Sequence, residues 1–124
     1  MTTLPAPSSL ETRLGVTFND PALLQQALVH SSFVNENPNS APDSNERLEF
    51  LGDAVLGLVV AHELYDAFPQ LDEGKLTELR THLVRRDTLA KVALELQLGD
   101  DLLLGRGEEA GGGRDRPTNL AHAY

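Results

Sequence analysis

The sequence predicts an all-α protein of one domain, built around a single long helix. Apolar residues make up 40% of the 124 positions and are mostly Leu, Val and Ala, a composition that suits a helical globular chain. They recur at three- and four-residue spacing, the mark of helices with one apolar face. The stretch Asn45 to Val60, NERLEFLGDAVLGLVV, combines carboxylates at helical spacing with the longest nearly uninterrupted apolar run, and no proline follows until Pro69. A chain of this length holds one core and no second module.

Taken in order, residues 1 to 8 hold two prolines and small polar residues, and read as disordered. A short helix is expected from Ser9 to Leu14. Asn19-Asp20-Pro21 is a helix start, with Asp20 as cap and Pro21 at the first helical position, and Leu24, Ala27 and Leu28 continue the stripe to about Val29. His30-Ser31-Ser32 reads as a helix-end turn; a Ser next to a His in sequence does not make a catalytic triad. Asn35 to Ser44, NENPNSAPDS, is a polar linker and surface loop.

The long helix is expected from about Ser44 to Ala67, with Asp43 as cap and Glu46 in the capping-box position three residues later. Pro69 and an Asp72 cap punctuate the chain before a helix marked by Leu76, Leu79 and Leu83. Asp87 caps the next, with Leu89, Val92, Ala93 and Leu96 on one face and Gly99 past its end. Gly105 to Arg116 reads as a flexible loop; without the terminal Lys-Ser/Thr of a P-loop it gives no nucleotide site. Pro117 opens a last helix that reaches Tyr124, about two turns on.

Cysteine is absent, which excludes a disulfide framework and a thiolate metal site and fits a reducing cytoplasm. MTTLPAPSSL has neither the basic region nor the apolar centre of a secretory signal, and no apolar run approaches a membrane span, so a cytoplasmic protein is expected. Net charge is −9, where a domain that grips phosphates unaided is usually basic. The one basic concentration is Arg80, His82, Arg85 and Arg86, with Lys75 and Lys91 near; it reads either as a phosphate contact or as charges at a helix end and the following cap.

At about 100° per residue, Glu46, Glu49 and Asp53 fall within roughly 60° of one another, with Leu48, Leu51, Val55 and Leu58 on the other side. Like charges at this spacing repel, and more so if the helix becomes buried beyond Ala54. A hard divalent cation, magnesium or manganese, offsets the repulsion and carries waters that serve as nucleophiles. Solvated acids in a first turn fit the same spacing. Di-iron bundles need Glu-x-x-His pairs, which are absent, and His62-Glu63 lacks the second His of a metalloprotease helix.

The run NERLEFLGDAVL resembles the signature of the ribonuclease III family, metal-dependent endonucleases that cut double-stranded RNA. LQQALVHSSF, Leu24 to Phe33, is similar to the family's segment before the signature, EGKLTELRTHLVRRDTLAKVA to the helices after it, and GRGEEAGGGRDRPTNLAHAY to its glycine-rich loop and the start of its late catalytic helix. The resemblance implies a ribonuclease III-like nuclease domain over residues 9–124, incomplete at its C-terminal end, without the basic double-stranded-RNA-binding domain that follows it in bacterial members. It further implies a homodimer, maturation of ribosomal and messenger RNA, and Mg2+ or Mn2+ held by Glu49 and Asp53. Asp53 would lie closest to the reaction, with Glu46 at the rim contacting substrate or the second subunit. Arg80, Arg85 and Arg86 are candidate RNA contacts.

The family completes its metal site with an Asp and, three residues later, a Glu. His122 stands at the Asp position and the Glu would fall one residue beyond Tyr124, so the chain reads as a fragment. His122 is either a ligand that shifts the site toward manganese and other transition metals or a surface or packing histidine. The first third of the long helix is expected to line the catalytic valley and its remainder the core. The alternative function is a non-catalytic scaffold that binds structured RNA or a ribosomal particle.

Overall fold

The computed structural model describes residues 9–39 and 43–124. The expected disorder of residues 1–8 and the middle of the Asn35–Ser44 linker lie outside them. The described residues form eight α-helices: α1 (Ser9–Leu14), α2 (Pro21–Ala27), α3 (Ser31–Glu36), α4 (Glu46–Ala67), α5 (Glu73–Leu83), α6 (Arg86–Glu95), α7 (Arg106–Ala110) and α8 (Pro117–Ala123). Two 3-10 turns, Leu98–Asp101 and Gly113–Asp115, lie between α6 and α8, and the one β-bridge among the described residues pairs Val29 with Leu103.

Local chemistry accounts for the helix starts. Asp20 accepts from the Ala22 amide at 3.0 Å with Pro21 at the first helical position, and Asp72 accepts from the Lys75 amide at 2.9 Å. α3 was not expected: His30 caps it, its Nδ1 accepting from the Ser32 amide at 3.1 Å, so His30-Ser31-Ser32 opens a helix and shortens the linker. α4 has no capping box. Asn45 occupies its cap position and the Ser44 hydroxyl, in place of Asp43, accepts from the Glu46 amide at 3.3 Å. α6 starts one residue after Arg85, which puts Asp87 in its first turn beside the dipole instead of at the cap.

The core does not lie on α4. Leu10, Ala90, Ala93, Leu98, Leu102, Leu104, Leu120 and Ala121 form it, so that α6 and α8 pack together with α1 and the segment after α6 closing over them. Along α4 only Leu64 is buried, at 7% exposure, while Leu58 is 71% and Phe50 84% exposed. The expectation that the helix beyond Ala54 supplies the core is therefore corrected. Its apolar residues encircle the axis, and α5 and α8 cover only part of that circumference.

Arginines tie the irregular segments to the helices. Arg13 donates from Nε to the Leu96 carbonyl at 2.8 Å and pairs with Asp101. Arg114 donates to the Gly99 carbonyl at 2.9 Å and the Leu102 carbonyl at 2.8 Å, while its Nε meets Glu109 at 2.8 Å. Gly99 has no room for a side chain, because a Cβ there would stand 2.3 Å from the Arg114 carbonyl oxygen. The stretch Gly105 to Arg116 is thus an ordered helix and turn, in correction of the expected flexible loop.

Glu108 of α7 accepts from Asn119 Nδ2 at 3.0 Å and pairs with Arg116. Its carboxyl is held below the ordinary glutamate value, chiefly by the Asn119 hydrogen bond and further by the Arg116 guanidinium, against an opposing desolvation. A depressed carboxylate contributes stability in full above its unfolded pKa, about 4.3, and loses it as pH falls through the folded value. Glu108→Gln is expected to lower the melting temperature at neutral pH, and the gap from the parent protein should close below about pH 4; calorimetry across that range measures it.

Val29 is fully buried, its carbonyl accepts from the Asn45 amide at 2.8 Å, and Asn45 Nδ2 donates to the Ala27 carbonyl at 3.1 Å. On the other side, Leu103 donates to the Leu28 carbonyl at 2.9 Å and accepts from the His30 amide at 3.0 Å. This short extended segment fixes where α4 begins. Asn45→Ala strands the Ala27 carbonyl and should cost about 1–3 kcal/mol, read as a lower denaturant midpoint at unchanged slope.

Candidate functional site

Three helices meet around a cleft of about 320 Å³. α4 contributes Leu48, Glu49, Gly52 and Asp53, α8 contributes His122, and the start of α6 contributes Arg86. Glu49 and Asp53 are one helical turn apart, and Gly52 beside Asp53 presents no side chain to narrow the space between the walls.

The α8 wall is set by the core. Pro117 fits the first position of a helix because its missing N–H has no intrahelical partner there. Asn119, Leu120 and Ala121 are then buried, which leaves the next residue, His122, half-buried at the rim of the core. His122 Nε2 stands 3.4 Å from Glu49 Oε1. That contact joins the N-terminal third of α4 to the end of α8 across a separation of more than seventy positions in sequence.

Not every expected residue arrives. Glu49 and Asp53 share the cleft with His122, but Glu46 faces a separate hollow lined by Gln26, Asp43, Arg47, Phe50 and Leu51. The single acidic face is therefore split in two, since the positions spread around the helix and the segment before α4 covers one side. Glu49 is half-buried and Asp53 exposed, so water screens the repulsion between them in this state. Of the three arginines in the basic group only Arg86 lines the cleft; Arg80 is exposed, and Arg85 pairs with Asp87 at 3.6 Å. Val84 just past α5, Leu89 of α6 and Tyr124 just past α8 carry no sequence signal that distinguishes them from ordinary packing residues.

The donors suit one hard cation on one side. Two carboxylates give oxygen ligands, and magnesium is commonly held by one or two carboxylates together with water and substrate phosphate. Among the described residues no group of three or more His, Asp and Glu side chains is assembled closely enough to enclose a metal. Glu49 and Asp53 thus fit an open, half-built cation site, with His122 as an imidazole neighbour.

Comparison with known proteins places this arrangement. A family described as ribonuclease-III-like matches residues 20–124. Ribonuclease 3 of Dehalococcoides mccartyi is 56% identical over 117 residues, which are 94% of this chain and 49% of that protein. Ribonuclease 3 of Enterococcus faecalis is 51% identical over 94% of this chain and 51% of its own length. The chain therefore spans about half the length of these curated relatives. A solved nuclease domain of ribonuclease III from Campylobacter jejuni, described for structural flexibility in a region involved in dimer formation, superposes with a TM-score of 0.85 at 44% identity, covering 94% of this chain and 77% of that one. The all-helical fold, the match over most of the chain and the shared sequence agree: this chain belongs to the ribonuclease-III-like family.

Proposed function

We propose that this chain is the nuclease part of a ribonuclease III-type endoribonuclease that hydrolyses phosphodiesters in double-stranded RNA with the help of Mg2+ or Mn2+. The observation that carries the reading is the meeting of Glu49 and Asp53 in one cleft of a chain from this family. When bound, the divalent cation acidifies a water and neutralises charge on the transferring phosphoryl group. Glu49 and Asp53 hold it with their carboxylate oxygens, and α4, pinned at Asn45, keeps the two acids one turn apart. His122 orients Glu49 through the 3.4 Å contact and stands where the family's Asp is found. Glu46, outside the cleft, serves a substrate or subunit contact. Arg80 and Arg85 grip strand phosphates away from the reaction.

The reading extends to a homodimer. Leu51, Val55, Leu58 and Tyr65 recur along one side of α4 at one- and two-turn spacing and are all exposed, which leaves an apolar stripe that a second copy covers. The dimer formation described for the Campylobacter jejuni nuclease domain supports this occupant. Maturation of ribosomal and messenger RNA in the cytoplasm is the role we infer from the family, in keeping with a chain that has no cysteine. A non-catalytic RNA-binding scaffold is the second reading, and His122 against Glu49 together with the net charge of −9 favours it.

Three outcomes test these statements. A long double-stranded RNA should be cut by the protein in Mg2+ or Mn2+; failure to cut by a folded dimer would hand the reading to the scaffold. Asp53→Asn should reduce that cleavage more than about a hundredfold, while raising metal-free stability by about 0.2–0.5 kcal/mol as the i,i+4 repulsion from Glu49 is removed. Leu58→Glu places a charge in the apolar stripe and should convert a dimer to a monomer in sedimentation velocity runs, with helicity unchanged.

A further inference from the structure

The cleft has a second wall of opposite sign. Its acids stand on α4, and the start of α6 contributes Arg86 to the same lining. Among the described residues the arginines at 47, 80, 86 and 106 have no hydrogen-bond or ion-pair partner, whereas those at 13, 85, 114 and 116 are each tied to a carboxylate, and of the unpaired four Arg86 is the one that lines the cleft. It is the first residue of a ten-residue helix, where the unpaired backbone N–H groups and the dipole add to the positive potential. An arginine that stabilises the fold is expected to be paired; this one is exposed and lines the same cleft as Glu49 and Asp53.

The chemistry of the substrate explains such a wall. A phosphodiester is an anion, and two carboxylates alone repel it. A divalent cation held by the carboxylates would remove part of that repulsion, and a positive side chain in the same cleft removes more while orienting the phosphate. A guanidinium fork matches two phosphate oxygens in a way that an ammonium does not. Arg80 and Arg85 line no part of the cleft, so a phosphate that reaches them is at another position along the strand.

We propose that Arg86 contacts the non-bridging oxygens of the phosphate being cleaved, and so acts at the reaction centre, whereas Arg80 and Arg85 contribute only to strand binding. The proposal rests on the nuclease reading and sharpens it, because it assigns the three arginines of the basic group to two different jobs.

The test compares Arg86→Ala, Arg86→Lys and Arg80→Ala in the protein, with double-stranded RNA and Mg2+. Arg86→Ala should lower kcat on the order of a hundredfold with a smaller change in KM, as the loss of one charge-stabilising donor does. Arg86→Lys should recover part of that loss, since it keeps the charge without the fork. Arg80→Ala should raise KM and reduce the salt dependence of binding, with the larger part of its effect in KM and not in kcat. Melting temperatures should be unaltered, as both side chains are exposed. If Arg86→Ala behaves like Arg80→Ala, or if Arg86→Lys is no better than Arg86→Ala, Arg86 is not at the reaction centre although the nuclease reading stands. If the parent protein neither binds nor cuts the RNA, both fall together.

Discussion

The extended segment between α2 and α3 is the constraint on which the positions of the other elements depend. Val29 is fully buried; its neighbours Leu28 and His30 exchange backbone hydrogen bonds with Leu103, and its own carbonyl accepts from the Asn45 amide. Leu103 lies between Leu102 and Leu104, both core residues, so the segment ties the core directly to the first turn of α4. A helix is a rigid rod on the scale of two or three turns. Once Asn45 is fixed, the placements of Glu49 and Asp53 follow. Glu49 and Asp53 are thus positioned by the packing of the segment that holds Asn45, at the same end of the cleft.

The division between core and site runs through α8. Asn119 donates to Glu108 and to the Gly113 carbonyl, Leu120 and Ala121 fill the core, and His122 faces Glu49. Four consecutive residues serve three purposes because a helix turns each one by about 100° from the last. The arginines at 114 and 116 hold α7 and the glycine-rich turn against this helix, and the glycines at 99 and 113 are buried where the chain passes close to itself. The glycine-rich stretch is therefore a fastening for α8.

Much of this was legible from sequence where a single side chain decides a local structure. Asp20-Pro21 and Asp72 start helices through a hydrogen bond to a nearby amide, and α1 spans the residues its pattern indicates. Legibility failed where the decision is non-local. The helix that His30 caps is also held from afar, since the Ser32 hydroxyl accepts from the Gly105 amide at 2.8 Å, 73 residues away, a bond no local pattern displays. The order of Gly105 to Arg116 comes from arginines that reach distant carbonyls. The outward face of α4 reads as core because apolar periodicity reports hydrophobic surface and not what covers it. The helical wheel likewise grouped Glu46 with Glu49 and Asp53, and only tertiary packing separates them.

One consequence follows from α8 serving both core and cleft. A site built on a loop can lose its geometry while the fold persists, and such proteins show inactive but compact states on warming. Here the helix that carries His122 is also the one that closes the hydrophobic centre, and it is too short to hold its shape alone. The cleft and the core are therefore expected to be lost together on warming, without a folded form that keeps the core and lacks the cleft.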